Sequence, residues 1–508
     1  MWRYILENEL TNGTQFLIGD PGGQLYAVVD FDGSTRVLPL PRRGGDKWIS
    51  YFNIKYGIEE HESHFSFIYG NLRSWVHENG MRAELRRFSV YNSMTQIAYM
   101  SAYNGRMFKI EPDEITDVAV GTDGVFFVDD DGGVNETPDI GQHGMLFERL
   151  IDGINFVPQG LSGITPDQQR KAFIIWMFSL AFPDLMPTKP ILLVEGEAGS
   201  GKTSAIVLLQ LILMGAHRSK QLKRNQEADF GVLLLRSPIC LFDNADSYID
   251  WVPDAIAAYA TLGDFEKRKL YTDDDNLVIK PHAFIAATSR NPASFRRGDV
   301  ADRCVILRLE RRPSFVAVTA LKSQILADRP QLLGEYLWYI QRIVAELRNN
   351  PIDLSGTEAY RMADFAAFGR VVGTVLGWTV EDLDNLMRAL QGERDAFVNE
   401  EEPLIELLRK WIAYKPKHGP QPIGRTMTAM ELHRELTTFA QVHQITTWKD
   451  SPRTLAQKLR SAQIENEFHV ERVTVNGQHA FRIWRRTDPR LSIVEVDQRG
   501  SKPVSPSK

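Results

Sequence analysis

The sequence predicts an α/β protein: a doubly wound parallel sheet with flanking helices in the middle of the chain, a β-rich region before it, and a helix–helix–β-ribbon module after it. Three observations carry this. Residues 191–215, ILLVEGEAGSGKTSAIVLLQLILMG, read as an apolar strand, a glycine-rich turn and an apolar helix. Further apolar runs, PICLF, HAFIAATSRNP and CVILRLE, are separated by helical stretches, the pattern of parallel strands joined by crossovers. Near the C-terminus, Thr428 to Glu431 has the spacing of a capping box, Ser451-Pro452 opens a second helix, and two β-like runs meet at Asn476-Gly477.

The 508 residues are enough for about three domains with cores of their own. A composition of 43% hydrophobic and 24% charged residues is that of a soluble globular chain. The two cysteines, Cys240 and Cys304, lie in apolar strand-like runs far apart in sequence, so reduced, buried thiols of a cytoplasmic protein are expected rather than a disulfide. The apolar run AFIIWMFSLAF at 172–182 is too short to cross a bilayer, and no membrane association is expected. The net charge of −6 is unevenly spread: residues 408–508 hold 18 basic and 9 acidic side chains, leaving −15 for the rest. The C-terminal fifth is therefore where a polyanion would dock.

Residues 1–85 mix short β-like runs, QLYAVVDF and HFSFIYG, with turn signals, and suggest no particular fold. From Phe88 to Asp130 the runs FSVYNS, TQIAYMSAY, RMFKI, DVAV and GVFFVDD predict a small antiparallel meander within residues 86–160. Thr165-Pro166 is a helix start, with Thr165 as N-cap and Pro166 in the first helical position.

The turn after Val194 fits G-x-x-x-x-G-K-S/T as Gly196, Glu197, Ala198, Gly199, Ser200, Gly201, Lys202 and Thr203, followed by Ser204. Glycines let successive backbone N–H groups face phosphates, a lysine reaches the β- and γ-phosphates, and a threonine hydroxyl ligates Mg²⁺, so ATP with Mg²⁺ is the expected cofactor. The run PICLFDNAD delivers Asp243 to the same end of a parallel sheet, where a carboxylate holds the metal. HAFIAATSRNP ends in Thr288 and Ser289, polar groups at the place of a γ-phosphate sensor.

The order of P-loop, DN-terminated strand, TSR-terminated strand and GDVADR resembles the AAA+ ATPases of phages and integrative elements, which are similar to superfamily 3 and MCM-like replicative helicases. The resemblance covers roughly residues 161–400. It implies an AAA+ domain with a helical lid, assembled as a ring, usually a hexamer, with ATP sites between subunits. It makes Asp243 the Walker B aspartate, Ser289 the sensor 1 residue, Arg303 the arginine finger and Arg361, in YRMADFAAFG, the sensor 2 arginine. Asn244 stands where such motors carry glutamate. An amide orients water, so hydrolysis is expected but at a reduced rate, with Asp246 as a substitute carboxylate.

EKRKLYTDDDNLVIKPH has two strand-like arms about a turn, the expected place of a pore hairpin. Its tip, Asp273 to Asp275, repels phosphates, which leaves Lys267, Arg268, Lys269 and Lys280 at its base for a DNA strand. Residues 401–487 have the order of a winged helix. Leu455 and Leu459 face its core, Arg453, Gln457, Lys458 and Arg460 face outward toward DNA, and Arg482, Arg485 and Arg486 decorate the wing. Residues 488–508 are expected to be disordered. The function expected is that of a DNA helicase or translocase in replication of a phage or mobile element. The alternative is a nucleotide-gated regulatory or defence ring acting on a protein partner.

Overall fold

Four strands with both faces buried and one short exposed edge strand, β11, form the central sheet: β10 (Ile191–Gly196), β11 (Ser219–Lys220), β12 (Ile239–Phe242), β15 (Phe284–Ser289) and β16 (Cys304–Leu309), in the order β11-β12-β15-β10-β16 and parallel throughout. This computed structural model describes residues 1–20, 23–31, 33–40, 46–59, 63–128, 132–262, 265–268, 276–279, 282–312, 317–357, 360–399, 403–414, 424–443, 451–460, 464, 468–475 and 478–485. It divides into two units, Met1–Val398 and Asn399–Lys508.

The period-2 geometry of a strand explains why these runs are almost continuously apolar. Leu192, Val194, Leu241, Phe284, Ala286, Val305 and Leu307 pack on one side with α5 (Pro166–Ser179), α6 (Lys202–Met214) and α11 (Arg329–Asn349). Ile191, Leu193, Cys240, Phe242, Ile285, Ala287 and Ile306 pack on the other with α7 (Glu227–Arg236) and α8 (Val252–Leu262). Helix α5 starts at a complete capping box in which the Thr165 side chain accepts from Gln168 N–H, and its Trp176 indole donates to Pro190 O at 3.0 Å. After β16 come α10 (Val318–Ala327), α11, α12 (Ala363–Leu376) and α13 (Val380–Asn399).

The N-terminal part holds two sheets. Strands β1 (Gln15–Asp20), β2 (Gln24–Phe31), β3 (Ser34–Pro39), β4 (Met81–Arg86) and β9 (Phe126–Phe127) are ordered β3-β2-β1-β4-β9, with α1 (Trp2–Thr11), α2 (Asp46–Tyr56) and α3 (Ser63–Asn79) contributing to its core. The expected division at residue 85 thus falls among paired strands. The run HFSFIYG, read as β-like, is helical. Phe65, Ile68, Tyr69, Leu72 and Val76 of α3 are buried, and their i, i+3, i+4, i+7, i+11 spacing shows only when the window is extended past Gly70. The meander is four strands, β5 (Ser89–Asn92), β6 (Ile97–Tyr103), β7 (Arg106–Ile110) and β8 (Ile115–Ala119). GVFFVDD does not extend it. Its Phe126 and Phe127 pair with Leu85 and Arg86 of β4 instead.

A two-stranded antiparallel ribbon, β13 (Phe265–Arg268) with β14 (Asn276–Ile279), occupies the predicted hairpin. Its acidic tip and Lys269 and Lys280 lie outside the described residues.

The second unit contains α14 (Pro403–Ala413), β17 (Met427–Thr428), α15 (Ala429–Val442), α16 (Pro452–Lys458), β18 (Phe468–Val475) and β19 (Gln478–Arg485), with sheet order β17-β19-β18. Thr428 and Glu431 complete the capping box, and Ser451 Oγ accepts from Thr454 N–H at 3.1 Å. Leu408, Trp411, Leu432, Leu436, Leu455, Leu459, Phe468 and Phe481 form its core.

Candidate nucleotide site

The chain leaves β10 toward one edge of the sheet, returns through β12 and β15, and then crosses to β16 on the opposite side of β10. The loop after β10 therefore stands at the crevice where such sheets bind ligands, beyond the strands' C-terminal ends. Gly199 (φ +82°) and Gly201 (φ +88°) are left-handed, a backbone that L side chains rarely adopt. Gly196 has a different reason: a Cβ there would stand 2.3 Å from Leu309 O and 2.9 Å from Ser200 Oγ.

The loop delivers the chain into α6 at Lys202. The Lys202 ammonium donates to Gly196 O at 2.6 Å and Glu197 O at 2.8 Å, and burial pulls its pKa below the usual lysine value. Thr203, one residue on, donates its hydroxyl to Asp243 Oδ1 at 2.6 Å. Thr288, at the end of β15, donates to the same oxygen at 2.6 Å. Three elements thus converge on one carboxylate.

Asn244 has φ +56°, and its N–H points at Thr288 Oγ1 at 3.4 Å. Ser289 is buried, and its hydroxyl donates to Asp246 Oδ1 at 2.7 Å rather than facing Asp243. Asp246 also accepts from Arg290 N–H at 2.6 Å and pairs with Arg290 Nε at 3.3 Å. Burial pushes the Asp246 pKa up, but these hydrogen bonds outweigh it and the net shift is downward.

Of the remaining predicted residues, Ser204 lies in the first turn of α6. Arg303 and Arg361 stand elsewhere. Arg303 immediately precedes β16, paired through its carbonyl with Ile191 N–H at the start of β10, and its guanidinium donates to Asp299 O. Arg361 Nε pairs with Asp302 Oδ2 at 3.4 Å. Since Ile191 faces Cys304 and Gly196 faces Leu309 in register, the start of β16, next to Arg303 and to the Asp302 that Arg361 pairs with, is about 17 Å along the strand from the loop. Neither arginine stands beside the loop of its own chain.

In the second unit, Arg453, Gln457 and Arg460 are exposed, Lys458 is partly buried, and Leu455 and Leu459 are buried. Arg482 is engaged, bonding Thr426 Oγ1 at 2.6 Å and Glu471 Oε2 at 3.2 Å. The side chain of Arg485 and the whole of Arg486 lie outside the described residues.

Sequence reasoning missed a buried charge relay behind the loop. Glu195, next to Gly196, pairs with Arg308 at 2.8 Å, and Arg308 pairs with Glu393 of α13 at 2.6 Å. Glu393 also accepts from Ser162 N–H at 3.0 Å and Ser162 Oγ at 3.1 Å. No local pattern marks this triad, because its members come from β10, β16 and α13. Arg312, three residues beyond β16, was also passed over, although the Arg311-Arg312 pair at a strand's C-terminal end was a readable signal.

The donor set suits a magnesium nucleotide. Among the described residues no three His, Cys, Asp or Glu side chains converge as a metal cage. Mg²⁺ is ordinarily held by one or two protein oxygens together with substrate phosphates, which one carboxylate and one threonine hydroxyl supply.

The class defined here is a mixed α/β protein whose parallel sheet carries a glycine-rich loop at its strands' C-terminal ends. Residues 160–391 match the family described as "Actinomycete integrative conjugative element replication protein". No curated protein matches the chain. Among solved structures, the apo C-terminal region of NrS-1 is 11% identical and aligns over 95% of this chain and 98% of that one, with a TM-score of 0.38. The SCCmec type IV Cch structure, described as an active helicase, is 13% identical over 93% of this chain and 92% of that one, with a TM-score of 0.39. Superpositions this loose equate no individual residues. No helix among the described residues is long and apolar enough to cross a membrane.

Proposed function

We propose that the protein is a mobile-element replication ATPase: an AAA+ ring, most simply a hexamer, that binds ATP with Mg²⁺, hydrolyses it and moves on DNA. The observation that carries the reading is the meeting of Thr203 and Thr288 on Asp243 beside the glycine loop. That arrangement offers a hydroxyl and a carboxylate to Mg²⁺, backbone N–H groups and Lys202 to the phosphates, and a polar shell that orients water at the terminal phosphate. The match of residues 160–391 to integrative-element replication proteins supports the biological setting.

The far placement of Arg303 and Arg361 favours a ring. A guanidinium supplied to a neighbour's γ-phosphate accelerates transfer by about 10³–10⁵, and in this chain it must come from the adjacent subunit. Asn244 then does by amide hydrogen bonding what a glutamate does elsewhere. The second unit is read as a winged helix, with α16 presenting Arg453, Gln457, Lys458 and Arg460 to DNA.

The test is ATP hydrolysis with and without single-stranded DNA, together with strand displacement on a forked duplex. DNA-stimulated hydrolysis and displacement support the reading. Hydrolysis indifferent to DNA turns the assignment toward a regulatory ring. The Arg453→Ala/Lys458→Ala/Arg460→Ala variant separates the two further: as a DNA reader it binds more weakly and with a flatter salt dependence, whereas unchanged binding across a salt titration makes the second unit a protein-docking module.

A further inference from the structure

Among the described residues, the Arg312 guanidinium stands against the phosphate loop with no side-chain partner. Strand β16 ends at Leu309, whose carbonyl already touches Gly196, and the chain continues along the loop so that Arg312 N–H points at Gly199 O at 3.5 Å. Its guanidinium lies over Gly201: a Cβ at that glycine would meet Arg312 Nε at 3.0 Å and the two neighbouring guanidinium atoms at 3.1 and 3.2 Å. The Nε atom is buried and has no hydrogen-bond partner, and among the described residues no carboxylate pairs with this guanidinium. Beside it, Ser200 is 1% exposed and its hydroxyl is likewise unpartnered. Orphaned donors at one spot cost desolvation without return unless a ligand accepts from them.

The side from which Arg312 arrives says which part of a ligand it meets. In the sheet, β15 and β12 lie on one side of β10 and β16 on the other. Asp243, Thr288 and the hydroxyl of Thr203 mark the β12–β15 side, where Asp243 and Thr203 would hold Mg²⁺ together with the terminal phosphates of a nucleotide. A nucleotide so oriented turns its nucleoside-proximal phosphate toward β16. We propose that Arg312 is a nucleotide ligand supplied by the same subunit, donating to the phosphate nearest the nucleoside and so holding ADP as firmly as ATP. A planar guanidinium suits this task because it donates to a phosphate in a fixed fork, which a lysine does not reproduce. The consequence is a division of labour: Arg303 of a neighbour serves turnover, and Arg312 serves retention, keeping a subunit occupied after hydrolysis.

This inference rests on the nucleotide reading of residues 196–203, and the test keeps the two apart. Equilibrium binding of a fluorescent N-methylanthraniloyl-ADP, and its displacement by ADP and ATP, is measured for the full chain and for the Arg312→Ala, Arg312→Lys and Lys202→Ala variants, with thermal melting of each in the absence of nucleotide. Arg312→Ala should weaken ADP and ATP by the same factor, about tenfold to a hundredfold, with an unchanged melting midpoint. Arg312→Lys should recover part of the loss, and it carries the test if the alanine variant misfolds. Wild-type ADP affinity in both Arg312 variants, or a loss confined to ATP, overturns the proposal while leaving the site standing. Wild-type nucleotide binding by Lys202→Ala overturns the site itself.

Discussion

Asn244 has a backbone reason for its identity. Its φ of +56° lies in the left-handed region, where asparagine is several-fold enriched and longer side chains are not. The turn brings Ala245 N–H to Thr288 O at 2.8 Å and lets the chain pass from β12 to Asp246, which ties down β15 through Ser289 and Arg290. Geometry and catalysis separate by substitution. Asn244→Gly keeps the turn and removes the amide, so the melting midpoint should stay at the wild-type value while hydrolysis falls about 10²-fold. Asn244→Val should instead lose about 1–2 kcal/mol of stability from the forced left-handed residue, read by chemical denaturation. Equal hydrolysis by the glycine variant and wild type would remove Asn244 from the chemistry. The two cysteines offer a second check at this scale. Burial pushes the thiols of Cys240 and Cys304 up to about 12, so at pH 8 neither carries appreciable thiolate. Iodoacetamide should therefore leave both unmodified in the folded protein and alkylate both in denaturant, as read by intact mass.

At the scale of elements, β16 is the strand on which the site depends, because its two ends do different work. Its start presents Arg303 on the side away from the loop, and its end places Leu309 O and Arg312 against the loop. Between them Arg308 joins Glu195 of β10 to Glu393 of α13, all three side chains being at most 12% exposed. A change in α13 is thereby felt one residue before Gly196. Arg308→Met should leave two carboxylates buried without a cation and destabilise by about 3–5 kcal/mol, seen as a lowered melting midpoint. The Arg308→Met/Glu393→Gln double variant should lose less than the sum of the single losses, since the second change removes one stranded charge. Strict additivity would mean that the two side chains do not interact.

At the scale of the whole molecule, Arg303 lies about 17 Å along the strand from the loop of its own chain, and the proposed ring predicts that it serves the loop of a neighbour. Arg303→Ala should bind ATP and fail to hydrolyse it, and Lys202→Ala should fail to bind. Mixed in one ring they should regain part of the activity, because some interfaces then join an intact loop to an intact arginine. Steady-state hydrolysis across mixing ratios measures this. Absence of recovery, with both variants assembled as mixed oligomers, would make Arg303 a structural residue.

What the sequence determined by itself is the part of the protein whose chemistry is contiguous in the chain. The loop from Gly196 to Ser204 follows a strand and opens a helix because each step is a local demand for glycine, charge or apolar periodicity, and the same holds for the N-cap at Thr165 and the capping box at Thr428. The nearly continuous apolar runs of β10, β12, β15 and β16 were legible for the same reason. Local pattern misled where a short window was ambiguous, as at HFSFIYG, and at Phe126–Phe127, whose pairing partner β4 lies 40 residues upstream. Only the tertiary structure decided that the Thr288 hydroxyl, rather than that of Ser289, meets Asp243, that Arg303 and Arg361 stand far from their own loop, and that Glu195, Arg308 and Glu393 form one buried relay. These are contacts between side chains distant in sequence, set by strand order and register. A strand shifted by one residue would exchange the faces of Thr288 and Ser289.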